Sequence, residues 1–168
     1  LPILSWHNHV SGDHYTISEA WLDRVQEVLD YAVDDDMYVI LNIHHDTDKE
    51  YCYPDKEHLE QSLSYMTFIW EQLADRFGDY DEHVIFESIN EPRLVETDHE
   101  WWLDMNAAEC VEAVECINEW NQNFVDVVRK TGGNNATRYL MVPGYDASAD
   151  GVLNDKFVLP TDTAENEG

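Results

Sequence analysis

Four short apolar runs, each but the last followed by a long helical repeat, constrain the fold of this chain more than any other feature. The runs are Leu1–Ser5, Tyr38–Ile43, Val84–Ile89 and Tyr139–Val142. Their apolar character is nearly continuous, as in strands covered on both faces of a parallel sheet. Between them apolar residues recur at three- and four-residue steps. Trp21, Leu22, Val25, Val28, Leu29 and Ala32 predict a helix from about Ser18 to Val33. Ser18 or Thr16 is its expected cap, and Thr16 with Glu19 has capping-box spacing. Leu59, Leu63, Met66, Ile69, Trp70 and Leu73 predict a second helix from about His58 to Phe77, stopped by Gly78 in the common C-terminal manner. Val111, Val114, Ile117, Phe124, Val125 and Val128 predict a third from about Ala107 to Lys130, ended by Gly132-Gly133.

The order is β-α-β-α-β-α-β, which argues for right-handed parallel units in one domain over residues 1–168. No linker or low-complexity tract interrupts it. Two α/β architectures share this pattern, an open doubly wound sheet and a (β/α)8 barrel. No Gly-x-Gly-x-x-Gly follows any run, so a dinucleotide fold has no support. Polar and aromatic residues do follow the runs: Trp6-His7-Asn8-His9, His44-His45-Asp46, Asn90-Glu91-Pro92 and Pro143-Gly144-Tyr145. A barrel keeps its active site at the C-terminal ends of its strands, so the expectation is a partial (β/α)8 barrel of four parallel strands with intervening helices.

Charge narrows the partners. With 9 Lys and Arg against 36 Asp and Glu, the formal charge is −27, spread along the chain. Such a surface repels phosphate backbones and anionic lipid, excluding nucleic acid and basic membrane docking and leaving neutral or cationic partners. No apolar run approaches the ~20 residues of a membrane span. Cys52, Cys110 and Cys116 lack zinc spacing; Cys110 and Cys116 would point to different sides of a helix, so free, partly buried thiols are expected. Asp34-Asp35-Asp36 reads as a solvated turn.

Asn90-Glu91-Pro92 is the sharpest constellation. A carboxylate ending an apolar strand, before a proline that stops pairing, belongs at the mouth of the sheet. There it is partly stripped of water, as a general acid requires. Asn90 can hydrogen-bond a sugar hydroxyl without adding charge. His44 and His45 end the preceding strand, with rings expected on opposite sides, and His44 is the favoured site residue. Trp6, Trp101, Trp102 and Tyr145 lie in or beside the strand-end loops, where aromatic rings suit the flat C–H faces of sugars. His7 and His9 admit a rival reading, a metal-dependent barrel hydrolase that conscripts His44 or His45 and Asp146. Against it, the later strand ends supply Glu-Pro and Gly-Tyr rather than more histidines. A second rival is a non-catalytic carbohydrate-binding or scaffold fragment using Trp101, Trp102 and Tyr145.

Taken together, the stretches Ser5 to His9, Leu41 to Asp46, Phe86 to Arg93 and Val142 to Tyr145 resemble glycoside hydrolase family 5, in particular its subfamily 4. The resemblance runs over essentially the whole chain. It implies a (β/α)8 barrel and a retaining endo-β-1,4-glucanase acting on cellulose, mixed-linkage glucan, xyloglucan and sometimes xylan. It implies no cofactor, a monomer, and a secreted or cell-surface location. By the same resemblance Glu91 is the acid/base, Asn90 the partner of the sugar 2-hydroxyl, and His44 a wall of the same subsite with His45 beside it. Trp6, His9, Tyr145, Trp101 and Trp102 are the further substrate contacts expected.

Retention also needs a nucleophilic carboxylate ~5 Å from the first. In the family this Glu comes from a later strand, after a His-x-Tyr, and an Arg precedes the first run found here. None of these is among the 168 residues, and Glu87, inside a strand, is not expected to substitute. The chain therefore reads as the second to fifth strands of eight, and as inactive alone. Half a barrel has two open sheet edges, an expected weakness.

Overall fold

The computed structural model describes residues 5–164. The run Leu1–Ser5 lies, except for Ser5, outside the described residues. The other three runs form one parallel sheet, built from β3 (Val39–Asn42), β4 (Val84–Glu87) and β5 (Leu140–Met141) in the order β3-β4-β5. Val39 pairs with Val84 and Asn42 with Glu87, so β3 and β4 match along their full length. Phe86 pairs with Leu140 and Glu87 with Met141.

The three long helices lie within a residue or so of their expected bounds: α1 (Glu19–Asp34), α2 (Leu59–Arg76) and α3 (Ala108–Lys130). Each buries one stripe. In α1 the stripe is Leu22, Val25 and Leu29, while Asp23, Arg24, Glu27 and Asp30 face water, the pattern of an amphipathic helix. Trp70 of α2 is fully buried between Phe86 of β4, at 5.3 Å between ring centres, and Phe124 of α3, at 4.6 Å. That aromatic contact fastens both helices to the sheet.

Several details differ from expectation. Only one sheet face is covered. Val39, Leu41, Val84 and Phe86 are buried under the helices, whereas Ile40 and Met141 on the other face are each 40% exposed. That second face is the one a barrel turns inward. No capping box forms: Thr16 lies in a strand, and Ser18 occupies the N-cap without a side-chain bond to the helix. Gly78 is not left-handed; a Cβ there would stand 2.7 Å from the Ala74 carbonyl oxygen, so close packing requires the glycine. Gly132 and Gly133, at φ +71 and +58, do end α3 as expected. A hairpin of β1 (Val10–Ser11) and β2 (Thr16–Ile17) and a short helix, α4 (Ala149–Leu153), were not legible beforehand. All three cysteines are free and buried. No helix among the described residues is long and apolar enough to cross a membrane.

Arg138, just before β5, closes the N-terminal end of the sheet. It is 4% exposed, and its guanidinium donates to the carbonyls of Phe77, Gly78, Tyr80, Asp81 and Val84 and to Asn135 Oδ1. Charge-assisted bonds of this kind contribute about 1.5–3 kcal/mol each, and a buried acceptor left bare costs about 1–3 kcal/mol. Arg138→Ala is therefore expected to lower unfolding free energy by about 3 kcal/mol or more in a urea titration, with Arg138→Lys in between.

Candidate active site

The site is set by where β3 and β4 stop. After Asn42 the chain continues through Ile43 to His44, and after Glu87 through Ser88 and Ile89 to Asn90 and Glu91. The Asn90 N–H donates to the Ile43 carbonyl at 2.7 Å, carrying the parallel ladder past the formal strands. This bond brings the Asn90-Glu91 turn beside His44. Behind it Ser88 is fully buried; its hydroxyl donates to Asn121 at 2.6 Å, and its carbonyl accepts from the Trp70 indole at 3.0 Å. The mouth of β4 is thus anchored to α2 and α3.

Glu91 adopts φ +42, a left-handed conformation rare for a residue with a Cβ. Its side chain is 40% exposed, and Arg93 Nη1 stands 3.6 Å from its carboxylate. Strain of this kind persists where the surroundings over-determine it, and it clusters at functional sites. Across the ladder, burial and then the neighbouring His45 push the His44 imidazole below its ordinary value, while the Glu91 carboxylate opposes them. His44 is therefore held neutral near neutral pH. The two imidazoles do not point to opposite sides. They meet edge to face at 4.5 Å, because strand alternation ends at Asn42, and His45 is left exposed.

Two predicted sugar platforms are corrected. Trp6 is fully buried, its indole donating to the Asn42 carbonyl at 2.9 Å and its backbone N–H to Asp46 at 3.1 Å. Tyr145 is fully buried too; its hydroxyl accepts from the Leu94 N–H and donates to the His99 carbonyl, and burial pushes it up to about 12. Neither presents a face to a ligand; both are packing residues that hold loops. Trp101 and Trp102 do stand out, at 60% and 71% exposed, with the Arg93 guanidinium over one face of Trp101 at 4.0 Å.

His7 and His9 are engaged apart from each other. His7 Nδ1 bonds Asp46 at 2.6 Å and its ring stacks on Tyr51, whereas His9 stacks on Trp21 at 3.7 Å. They do not converge with His44, His45 or Asp146 as a ligand set. Among the described residues the potential ligands that do lie together are Asp55, Glu57 and His58 at the start of α2, where His58 already bonds Asp55.

The family model for Cellulase (glycosyl hydrolase family 5) matches residues 1–167. The chain belongs to glycoside hydrolase family 5. Endoglucanase B of Ruminococcus albus is 45% identical over 163 residues, covering 97% of this chain and 37% of that protein. A family 5 lichenase from Caldicellulosiruptor sp. F32 superposes with a TM-score of 0.95 at 57% identity, covering 98% of this chain and 44% of the lichenase. A broad-specificity subfamily-4 endoglucanase from Ruminococcus champanellensis, solved with cellotriose, gives 0.88 at 48% identity, with 97% and 45% covered. The chain spans less than half the length of each of these relatives. Its parallel sheet and helices are a partial segment of their (β/α)8 barrel.

Three site features of this family 5 segment escaped the sequence reading. Asp46 is fully buried and accepts from Trp6, His7 and Tyr65, so it ties the Trp6–His9 turn and α2 to the loop after β3. Arg93 bonds the Glu91 carbonyl at 2.9 Å. Glu87, on the open face, accepts from Asn42 at 2.7 Å. The run His44-His45-Asp46 held the first signal and the residue after Asn90-Glu91-Pro92 the second. Burial, reinforced by Glu91 and opposed by the Asn42 bond, raises the Glu87 carboxyl above the ordinary range.

The raised Glu87 value gives a signed prediction. Between the ordinary Glu value and this raised one, the folded state binds more protons than the unfolded state. Stability therefore falls as pH rises through that window. Glu87→Gln removes the titration and keeps an acceptor for Asn42. In urea titrations the variant should gain on wild type as pH rises from the ordinary Glu value through the raised one. A difference constant with pH would remove Glu87 as the titrating group.

Proposed function

We propose that this chain is the acid/base half of a retaining endo-β-1,4-glucanase that cleaves internal bonds of plant cell-wall β-glucans. The observation that carries the reading is the placement of Asn90 and Glu91 at the mouth of β4, tied beside His44 by the Asn90–Ile43 bond. In this reading Glu91 protonates the leaving glycosidic oxygen and later takes a proton from the attacking water. Asn90 holds the 2-hydroxyl of the sugar at the cleaved bond, and His44 and His45 line its subsite. Exposed Trp101 and Trp102 offer sugar-stacking surface, Trp101 beside Arg93.

The nucleophile, needed about 5 Å from Glu91, is assigned to a strand beyond these residues. Two nearby carboxyls suit that role poorly. Glu87 is engaged by Asn42 inside β4, and burial raises both it and Asp146, the wrong direction for a group that must be ionised. Substrate class follows the relatives. Structures in the family were solved with cellotriose and cellotetraose, and one relative is a xyloglucan-specific endo-β-1,4-glucanase. The formal charge of −27 suits a neutral polymer, and a polymer substrate of this kind fits a protein that works outside the cell or on its surface. The His7 and His9 rings, each stacked elsewhere, give the metal-dependent reading no support.

With the barrel completed by its remaining strands, activity is expected on barley β-glucan, carboxymethylcellulose or xyloglucan. Glu91→Gln should cut kcat by about 100-fold or more, the usual worth of general acid/base catalysis. Activity untouched by that change would sink the assignment. The purified 168-residue chain is expected to hydrolyse none of these polymers, and clear turnover by it would place a nucleophile within it.

A further inference from the structure

Glu91 combines a left-handed backbone, at φ +42, with a proline immediately after it. A Cβ disfavours that conformation, and the residue before a proline is steered toward extended backbone. Something outside the turn must hold it. Arg93 lies two residues on and is 15% exposed. Its Nη1 donates to the Glu91 carbonyl at 2.9 Å and stands 3.6 Å from the Glu91 carboxylate. Its Nε reaches Glu100 Oε1 at 3.4 Å, and its guanidinium lies over the Trp101 ring at 4.0 Å. Glu100 is held in turn, its other oxygen accepting the Glu96 N–H at 3.0 Å. On the far side the Asp146 N–H donates to the Pro92 carbonyl at 2.8 Å, which brings a third carboxylate near the same guanidinium.

We propose that Arg93, braced by Trp101 and Glu100, is the positioning residue of Glu91. One planar fork fixes the strained turn through the Glu91 carbonyl and draws the carboxylate to a set place through its charge. A lysine ammonium, lacking the fork and the flat face that stacks on an indole, does this only in part. Trp101 accordingly serves as a brace on one face, besides any sugar on the other. This inference rests on the reading of Glu91 as acid/base.

The test separates proton transfer from folding in the completed barrel. Barley β-glucan needs Glu91 in both steps. 2,4-Dinitrophenyl β-cellobioside with added azide needs it in neither. The nucleophile's carboxylate attacks the anomeric carbon and forms an ester bond to it, while dinitrophenolate departs with the bonding electron pair and without a proton. Azide then attacks the anomeric carbon, the ester bond to the enzyme breaks with its electrons returning to the nucleophile's carboxylate, and β-cellobiosyl azide forms with no proton to remove. Arg93→Ala is expected to lower kcat on β-glucan by about 10- to 100-fold, the cost of misplacing a catalytic group by about 1 Å. On the aryl glycoside with azide it should stay within about threefold of wild type, since binding and the nucleophile are untouched. Arg93→Lys should fall between, and Trp101→Ala should lower kcat on β-glucan in the same direction as Arg93→Ala but by less.

Equal losses on both substrates that azide does not restore would make Arg93 a general structural residue and overturn the proposal, as would no loss on β-glucan. A rise in KM alone for Trp101→Ala would remove the brace. Glu91→Gln, assayed beside them, distinguishes the two levels. If it lacks the azide-restored loss, the acid/base reading fails and this inference with it. If it shows that loss and the Arg93 variants do not, only the positioning role fails.

Discussion

Everything functional in this chain depends on the in-register parallel pairing of β3 with β4. The ladder runs from Val39 opposite Val84 to Asn42 opposite Glu87, and one further bond, from Asn90 to Ile43, extends it into the loops. A slip of one residue would turn Val84 and Phe86 away from the helices and rotate Asn90 and Glu91 away from His44. Register is held from behind by Trp70, which packs on Phe86 and donates to the Ser88 carbonyl just past the strand. The same side chain thus serves core packing and the placing of the site.

Charge is handled differently at the two ends of the sheet. The chain carries 36 acidic residues and 9 Lys and Arg, so each buried cation is placed against a specific demand. At the N-terminal end Arg138 satisfies loop carbonyls that no strand or helix uses. At the C-terminal end Arg93 stands among Glu91, Glu100 and the nearby Asp146 and offsets their mutual repulsion. Asp46 is the complement of these arginines, a buried carboxyl group bonded to the Trp6 N–H, the His7 ring and the Tyr65 hydroxyl. The rest of the acidic surface is solvated, which keeps polyanions away and leaves a neutral polymer free to approach.

Much of this was legible in the sequence because it depends on local period and on strand ends. The strands β3, β4 and β5 and the long helices follow from apolar spacing, and what precedes Asn90-Glu91-Pro92 places it at a strand end. What escaped depends on contacts distant in sequence. Trp6 and Tyr145 read as exposed rings because they sit in strand-end loops, yet Asn42, Asp46, Leu94 and His99 draw them inward. The histidine pair was read by strand alternation, which no longer applies once pairing stops at Asn42. Near-continuous apolar runs imply strands covered on both faces, whereas in this segment only the face under the helices is covered. Arg93 has no local signal as a charge; its role is visible only once the left-handed turn at Glu91 is seen.

The central claim is that Glu91 acts as acid and base and never as the nucleophile. The most direct measurement is covalent trapping in the completed barrel with 2,4-dinitrophenyl 2-deoxy-2-fluoro-β-cellobioside. The fluorine slows formation and breakdown of the glycosyl–enzyme ester, while the activated leaving group restores its formation. Peptide mass spectrometry then reads which carboxylate carries the sugar. The account predicts one cellobiosyl adduct on a glutamate outside these 168 residues, with the Glu91 peptide unmodified. An adduct on Glu91, or on any other carboxylate of this chain, would contradict it.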